Sequence, residues 1–127
     1  MTVNDVVAEY DRLRPNAFSP EEKFGMISVI DSRIFREIIQ THFPNDSKEE
    51  IADFTPYSYP EDQDKSVLAD DGFIDLYVHY IAYRYELANG ETVRAQNEGS
   101  EFNYAFRDFS AFYNRTHKPK GVSRMKL

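Results

Sequence analysis

The sequence contains no cysteine, and this absence excludes several kinds of site at once. Without cysteine among its 127 residues, the chain has no disulfides, thiolate metal ligands or cysteine nucleophiles. Glycine occurs only five times and never in a cluster, so nothing matches a phosphate-binding loop or a dinucleotide-binding fingerprint. The chain also lacks a signal-peptide-like apolar run and any run of about 18 apolar residues that could cross a bilayer. We therefore expect a protein made in the cytoplasm, with no membrane partner.

The charge is unevenly distributed along the chain. The net charge is −7, but residues 115–127 carry five basic residues and no acidic one, which leaves residues 1–114 with ten basic and twenty-two acidic residues. The acidic body should repel nucleic acid, so we expect no sequence-specific nucleic-acid partner. The basic end could contact phosphate or an acidic protein surface, or it could be a solvated terminus.

Two capping boxes predict where the first two helices begin. Thr2 with Asp5 precedes an apolar stripe and predicts a first helix from about Val3 to Arg14. The run Ser19-Pro20-Glu21-Glu22 combines a serine cap, a proline at the first helical position and a closing glutamate. It predicts a second helix that reaches about Thr41.

The second half of the chain predicts two more helices after an irregular segment. Residues 43–70 are rich in proline and acid, with a short helix at 48–53 or a hairpin within 54–68 as the expected structure. A third helix should start near Gly72, and Asn89-Gly90 should separate it from a fourth helix over 91–114. The alternative is one kinked helix through residues 89–91. Because residues 94–101 are almost wholly polar, we expect them to project into solvent or against another subunit.

These elements predict an all-α fold, a small bundle of four main helices with a long acidic loop between helices two and three. We expect residues 1–115 to form the helical domain and residues 116–127 a basic, flexible C-terminal tail.

No pattern of catalytic or metal-binding residues emerges from the sequence. Asp62, Asp64 and Ser66 imitate the start of a calcium loop, but Val67 replaces the required glycine and Phe73 the closing glutamate. None of the three histidines forms a His-x-x-x-His pair. The paired carboxylates stand at predicted helix starts, where the helix dipole favours them. The sequence therefore predicts no metal, no cofactor and no enzyme, unless folding brings His79 into a pocket with two carboxylates.

Several stretches of the chain resemble the head–tail adaptor (connector) proteins of tailed phages and prophages of Gram-positive bacteria. The ending Tyr-Asn-Arg-Thr-His is the most specific of them. The stretches are Val3-Asn4-Asp5-Val6-Val7 through Arg14-Pro15-Asn16-Ala17-Phe18-Ser19, Asp75-Leu76-Tyr77-Val78 through Asn89-Gly90-Glu91, and Phe112-Tyr113-Asn114-Arg115-Thr116-His117-Lys118-Pro119-Lys120-Gly121.

The resemblance implies a non-catalytic virion protein of the phage neck. Such a subunit would form a homo-oligomeric ring, dock on the portal protein and contact neighbouring neck and tail-completion proteins. The residues that we expect to contact partners are Lys118, Lys120, Arg124, Lys126, Arg94 and Glu98. The alternative is a small acidic regulatory or host-takeover protein, which would be a monomer or dimer rather than a ring.

Overall fold

The computed structural model describes residues 1–121 and confirms an all-α fold. Within these residues there is no β-strand, only isolated backbone bridges between Thr2 and Ser66 and between His42 and Pro119. The helices are α1 (Val3–Leu13), α2 (Pro20–Ile34), α3 (Ile74–Ala88) and α4 (Thr92–Thr116), with a π-helical turn at Phe35–Ile39 and a 3₁₀ turn at Asp71–Phe73. No helix among the described residues is both long and apolar enough to cross a membrane.

The predicted capping boxes form at the starts of α1 and α2. The Ser19 hydroxyl accepts a hydrogen bond from the Glu22 backbone N–H at 3.2 Å, and the Ser19 N–H donates to the Glu22 carboxylate at 2.9 Å. Thr2 and Asp5 make the same reciprocal pair. Each box satisfies backbone donors that the first helical turn leaves without partners.

The end of α2 differs from the prediction of a regular helix to Thr41. The α-helix stops at Ile34, and the wider turn over Phe35–Ile39 carries the chain onward. This turn keeps Phe35 and Ile38 buried, and the Ile38 carbonyl then accepts a 2.8 Å hydrogen bond from the Thr41 hydroxyl. The predicted end of the second helix at Thr41 is therefore close to the observed end, but the last turn is π-helical instead of α-helical.

Helices α3 and α4 form an antiparallel hairpin that turns at Gly90. Its φ of 72° lies in the left-handed region, which only glycine adopts readily, so the alternative of one kinked helix is wrong. Aromatic side chains join α4 to α3 and to the 3₁₀ turn that precedes α3. The pairs include Phe73 with Phe109 and Tyr80 with Phe102, both at 5.1 Å between ring centroids.

The expectation that residues 94–101 project away from the body holds for the exposed Arg94, Gln96, Asn97, Ser100 and Glu101, but it is wrong for Ala95, Glu98 and Gly99. Ala95 is buried, and Gly99 lies so close to α3 that an added Cβ would stand 3.2 Å from the Tyr83 ring. Because these two small residues are one turn apart, they form a flat face against which α3 can lie. A polar segment can therefore pack through its small residues.

The core lies among α1, α2 and α3, and the C-terminal half of α4 closes it. Its fully buried side chains include Val3, Val6, Tyr10, Phe24, Ile27, Ile30, Ile34, Ile38, Leu76, Tyr77, Ile81 and Phe109.

The segment between α2 and α3 is irregular. Neither the short helix at 48–53 nor the hairpin within 54–68 forms, and a single turn at 47–49 is the only local structure near the first. Three buried side chains, Tyr57, Val67 and Ala69, hold the segment against the helices.

Candidate partner-binding surfaces and buried polar sites

The most deeply buried carboxylate, Asp31 on α2, anchors the long irregular segment. It is 0 % exposed and accepts hydrogen bonds from the hydroxyls of Tyr57 (2.6 Å) and Tyr77 (2.5 Å) and from the Leu68 N–H (3.1 Å). The Tyr77 oxygen in turn accepts from the Ala69 N–H at 3.1 Å. Through these hydrogen bonds the buried carboxylate holds the irregular segment against α2 and α3.

Burial also shifts the pKa of this group. It raises the pKa of Asp31 to about 6, although the hydrogen bonds from Tyr57, Tyr77 and Leu68 oppose the rise. The pKa values of both tyrosines are raised as well, first by burial and then by the neighbouring Asp31 charge.

Glu98, one of the predicted partner-binding residues, is engaged within the chain. Its carboxylate forms an ion pair with Arg14 at the end of α1 and accepts a 2.8 Å hydrogen bond from Nδ1 of His79 on α3. Burial alone would raise the pKa of Glu98, but the hydrogen bonds from Arg14 and His79 and the charge of Arg14 hold it below its usual value. With its side chain only 14 % exposed, Glu98 joins three helices and presents little surface to a partner.

His79 also lines a cleft between α3 and α4. A catalytic interpretation requires a pocket that joins His79 to carboxylates, and this cleft is such a pocket. The cleft has a volume of about 200 Å³, and the acidic residues Asp75, Glu101 and Asp108 line it together with His79. Because Glu98 can only accept, Nδ1 of His79 carries the proton, and this fixes the ring. Among residues 1–121, no group of three histidine or acidic side chains is arranged to hold a metal ion.

The start of the predicted C-terminal tail makes backbone hydrogen bonds with the body. The Phe43 N–H donates to the Lys118 carbonyl and the Lys120 N–H donates to the Thr41 carbonyl, each at 2.8 Å. The side chains of Lys118 and Lys120 stay exposed, and the Lys120 ammonium lies 5.5 Å from the Phe43 ring centre. Arg124 and Lys126 lie outside the described residues.

The Tyr-Asn-Arg-Thr-His ending provides the contacts that hold this basic segment. The His117 ring stacks on Tyr113 at 3.7 Å and donates from Nε2 to the Glu49 carboxylate at 2.7 Å. The Asn45 side chain donates to the Thr116 carbonyl at 3.1 Å, and Nε2 of the buried His42 lies 2.6 Å from the side-chain oxygen of Asn114. Sequence reasoning missed His42, whose only signal is its place one turn beyond the buried Ile38.

Arg94 lies far from the basic segment. Its side chain is 72 % exposed and stands 4.0 Å from the Glu86 carboxylate. It is near the start of α4, whereas Lys118 follows the end of this 25-residue helix, which is on the order of 37 Å long. The predicted partner-binding residues therefore occupy separate regions of the molecule.

Two further surfaces carry exposed apolar groups. A groove of about 420 Å³ runs along α2 beside Pro56 and Tyr57, and Val29 in its wall is 51 % exposed. On α4, Tyr104 is 69 % exposed. No sequence periodicity marked either surface, because both lie outside the apolar stripes.

Within residues 1–121 the fold is a small bundle of four helices, and its buried acidic groups Asp31 and Glu98 are held in contacts within the chain. Comparison of the chain with protein-family models, with curated proteins and with solved structures found no match.

Proposed function

We propose that this protein is a structural subunit of a phage neck, a head–tail adaptor that docks on the portal as a ring. The observation that carries the proposal is the contact set of residues 113–117. This stretch is the most specific part of the resemblance, and its side chains and backbone fasten the following basic segment to the body.

A fastened basic segment suits a docking role. Residues 117–121 are held by the backbone of Thr41 and Phe43, so the exposed ammonium groups of Lys118 and Lys120 are placed before a partner arrives. Preorganisation lowers the entropy lost on binding. The acidic body supports the same role, since a negative wall lets DNA pass without adhesion.

The test is assembly with the portal protein encoded in the same phage genome. The chain should sediment with the portal and appear as a ring on it in negative-stain images. Lys118→Glu combined with Lys120→Glu should weaken this association at least tenfold, because both charges at the docking segment are reversed.

The matched control changes the same net charge elsewhere. Lys48→Glu combined with Lys65→Glu alters two exposed cations on the irregular segment and should leave portal binding near the wild-type value. If both pairs of substitutions weaken portal binding equally, the weakening is due to the change in net charge and not to the position of Lys118 and Lys120. Absence of any portal complex would favour the alternative, a small acidic regulatory protein that binds a basic host partner as a monomer or dimer.

The cleft beside His79 favours a second candidate, an enzyme that uses this imidazole as a general base on a cationic substrate. The supporting observation is that Asp75, Glu101 and Asp108 line the same cleft. Wild-type and His79→Gln proteins should be compared on cationic ester and amide substrates. If the wild type turns over one of these substrates, and the His79→Gln variant loses that activity but keeps its helical circular dichroism, the enzyme candidate replaces the adaptor proposal.

A further inference from the structure

The groove on α2 is an apolar surface that no part of the described chain covers. Gly25, Val29, Pro56 and Tyr57 line it, and a Cβ added at Gly25 would meet no atom within 4 Å. The guanidinium of Arg36 stands at one end and donates a 3.0 Å hydrogen bond to Ser32. The groove is thus open, apolar along its floor and positively charged at one end.

A surface of complementary charge lies on the side of α4 that borders the cleft beside His79, where Glu101, Tyr104 and Asp108 are among the lining residues. Tyr104 is 69 % exposed, while Phe102 and Phe106, two residues away on either side, are buried against the body. At 100° per residue, Glu101 and Asp108 lie on the same side of the helix as Tyr104, and both are exposed. An aromatic knob with two neighbouring carboxylates therefore projects from the helix.

We propose that Tyr104 of one copy inserts into the α2 groove of a second copy of this chain. The knob supplies an amphipathic ring to an apolar groove, a common arrangement at the centre of protein interfaces. Glu101 and Asp108 beside the knob complement Arg36 at the end of the groove. A second copy of the chain is therefore the occupant that we infer, because it carries both the exposed aromatic ring that suits the apolar groove and the carboxylates that suit Arg36.

The geometry of this contact also bears on assembly. The residues that line the groove and those around the knob are different. Where the two surfaces meet different neighbours, the contact is head-to-tail and each subunit keeps one of each surface for a further neighbour, whereas two copies that exchange knobs close as a dimer. Head-to-tail contacts produce rings when the rotation closes. The inference deepens the proposed ring function and rests on it for its biological meaning, but the contact can be tested without the portal.

The absence of cysteine allows a selective cross-linking test. Ser32→Cys places a thiol in the groove and Ser100→Cys places one a turn before Tyr104. A mixture of the two variants, treated with a short bis-maleimide, should give at least tenfold more mixed dimer than Ser32→Cys with Ser47→Cys, an exposed site on the 47–49 turn. The chain carrying both cysteines should give a ladder of higher multimers.

The knob itself provides the decisive comparison. Tyr104→Ala in the Ser100→Cys chain should reduce the cross-link to the Ser47→Cys background with unchanged circular dichroism, since Tyr104 is exposed. Arg36→Glu should also weaken it, and pairing Arg36→Glu with Glu101→Arg on the other chain should restore part of it. The proposal is overturned if the yield of cross-link is the same in these variants, if cross-links form only within one chain, or if no cross-link forms at any protein concentration. Portal binding that persists in any of those cases leaves the adaptor function standing and removes only this interface.

Discussion

The hydroxyl of Tyr77 on α3 donates a 2.5 Å hydrogen bond to the carboxylate of Asp31 on α2, across 46 residues of sequence. The same oxygen of Tyr77 accepts from the Ala69 N–H, so one phenol connects two helices with the end of the irregular segment. This relationship explains how a long segment without secondary structure is fixed on so small a body. The Tyr57 hydroxyl and the Leu68 N–H of the segment both donate to this one buried carboxylate.

Removing that hydroxyl should therefore destabilise the fold. Tyr77→Phe leaves the Ala69 N–H and one Asp31 oxygen buried without a partner, at a cost of about 2 kcal/mol in the free energy of unfolding. Urea denaturation followed by circular dichroism measures this cost, and hydrogen exchange at Ala69 should accelerate. Tyr83→Phe, in a half-buried tyrosine of the same helix, is the control and should change stability by less than about 0.5 kcal/mol. Equal stabilities of the two variants would contradict the anchoring role.

Asp31 should also give the protein a particular pH dependence. Its pKa is raised from 3.8 to about 6 in the fold, so the folded state binds the proton more tightly than the unfolded chain does. This stabilisation is complete below pH 4 and is lost as the pH rises through about 6. The difference of about two pKa units corresponds to about 3 kcal/mol.

Asp31→Asn removes this titration while keeping the shape of the side chain. The stability of the wild type relative to the variant should therefore fall between pH 4 and pH 7, as measured by urea denaturation at each pH. The stability of the variant has to be subtracted at each pH because other carboxylates, such as Asp5 and Glu22, have lowered pKa values. Their protonation destabilises both proteins at low pH. A difference that stays constant over this range would show that Asp31 does not titrate in it.

Local signals predicted the helices well, and long-range contacts account for what they missed. Ser19 with Glu22 and Gly90 act through neighbouring residues, so their sequence context was sufficient. Asp31 occupies a position on the apolar stripe between Ile27 and Ile34, which is a recognisable signal for a buried polar anchor. Its tyrosine partners are 26 and 46 residues away, and nothing local identifies them.

The candidate surfaces were less predictable for a similar reason. Exposure of Lys118 and Lys120 followed from their charge, but their attachment depends on backbone pairing with Thr41 and Phe43, which sequence patterns do not encode. Glu98 appeared free because its partners, Arg14 and His79, belong to other helices.

The Ser19 cap allows a direct measure of one local signal. Ser19→Ala removes the acceptor for the Glu22 N–H and should lower the free energy of unfolding by about 1 kcal/mol. Ser100→Ala, at an exposed site inside α4, provides the matched control and should be neutral or slightly stabilising, because alanine favours helix. A Ser19→Ala protein as stable as the control would argue against a capping contribution.

The attached C-terminal segment leads to the last prediction, which concerns truncation. Deleting residues 117–127 removes the two backbone hydrogen bonds that join this segment to Thr41 and Phe43 and the stack of His117 on Tyr113, and it exposes part of that ring. At about 1 kcal/mol for each of these contacts, the loss should be about 3 kcal/mol, visible as a lower melting temperature. Deleting only residues 122–127 keeps all of those contacts and should cost much less. If both truncated chains melt at the wild-type temperature, residues 117–121 do not contribute to the stability of the fold, and Lys118 and Lys120 are not positioned before docking.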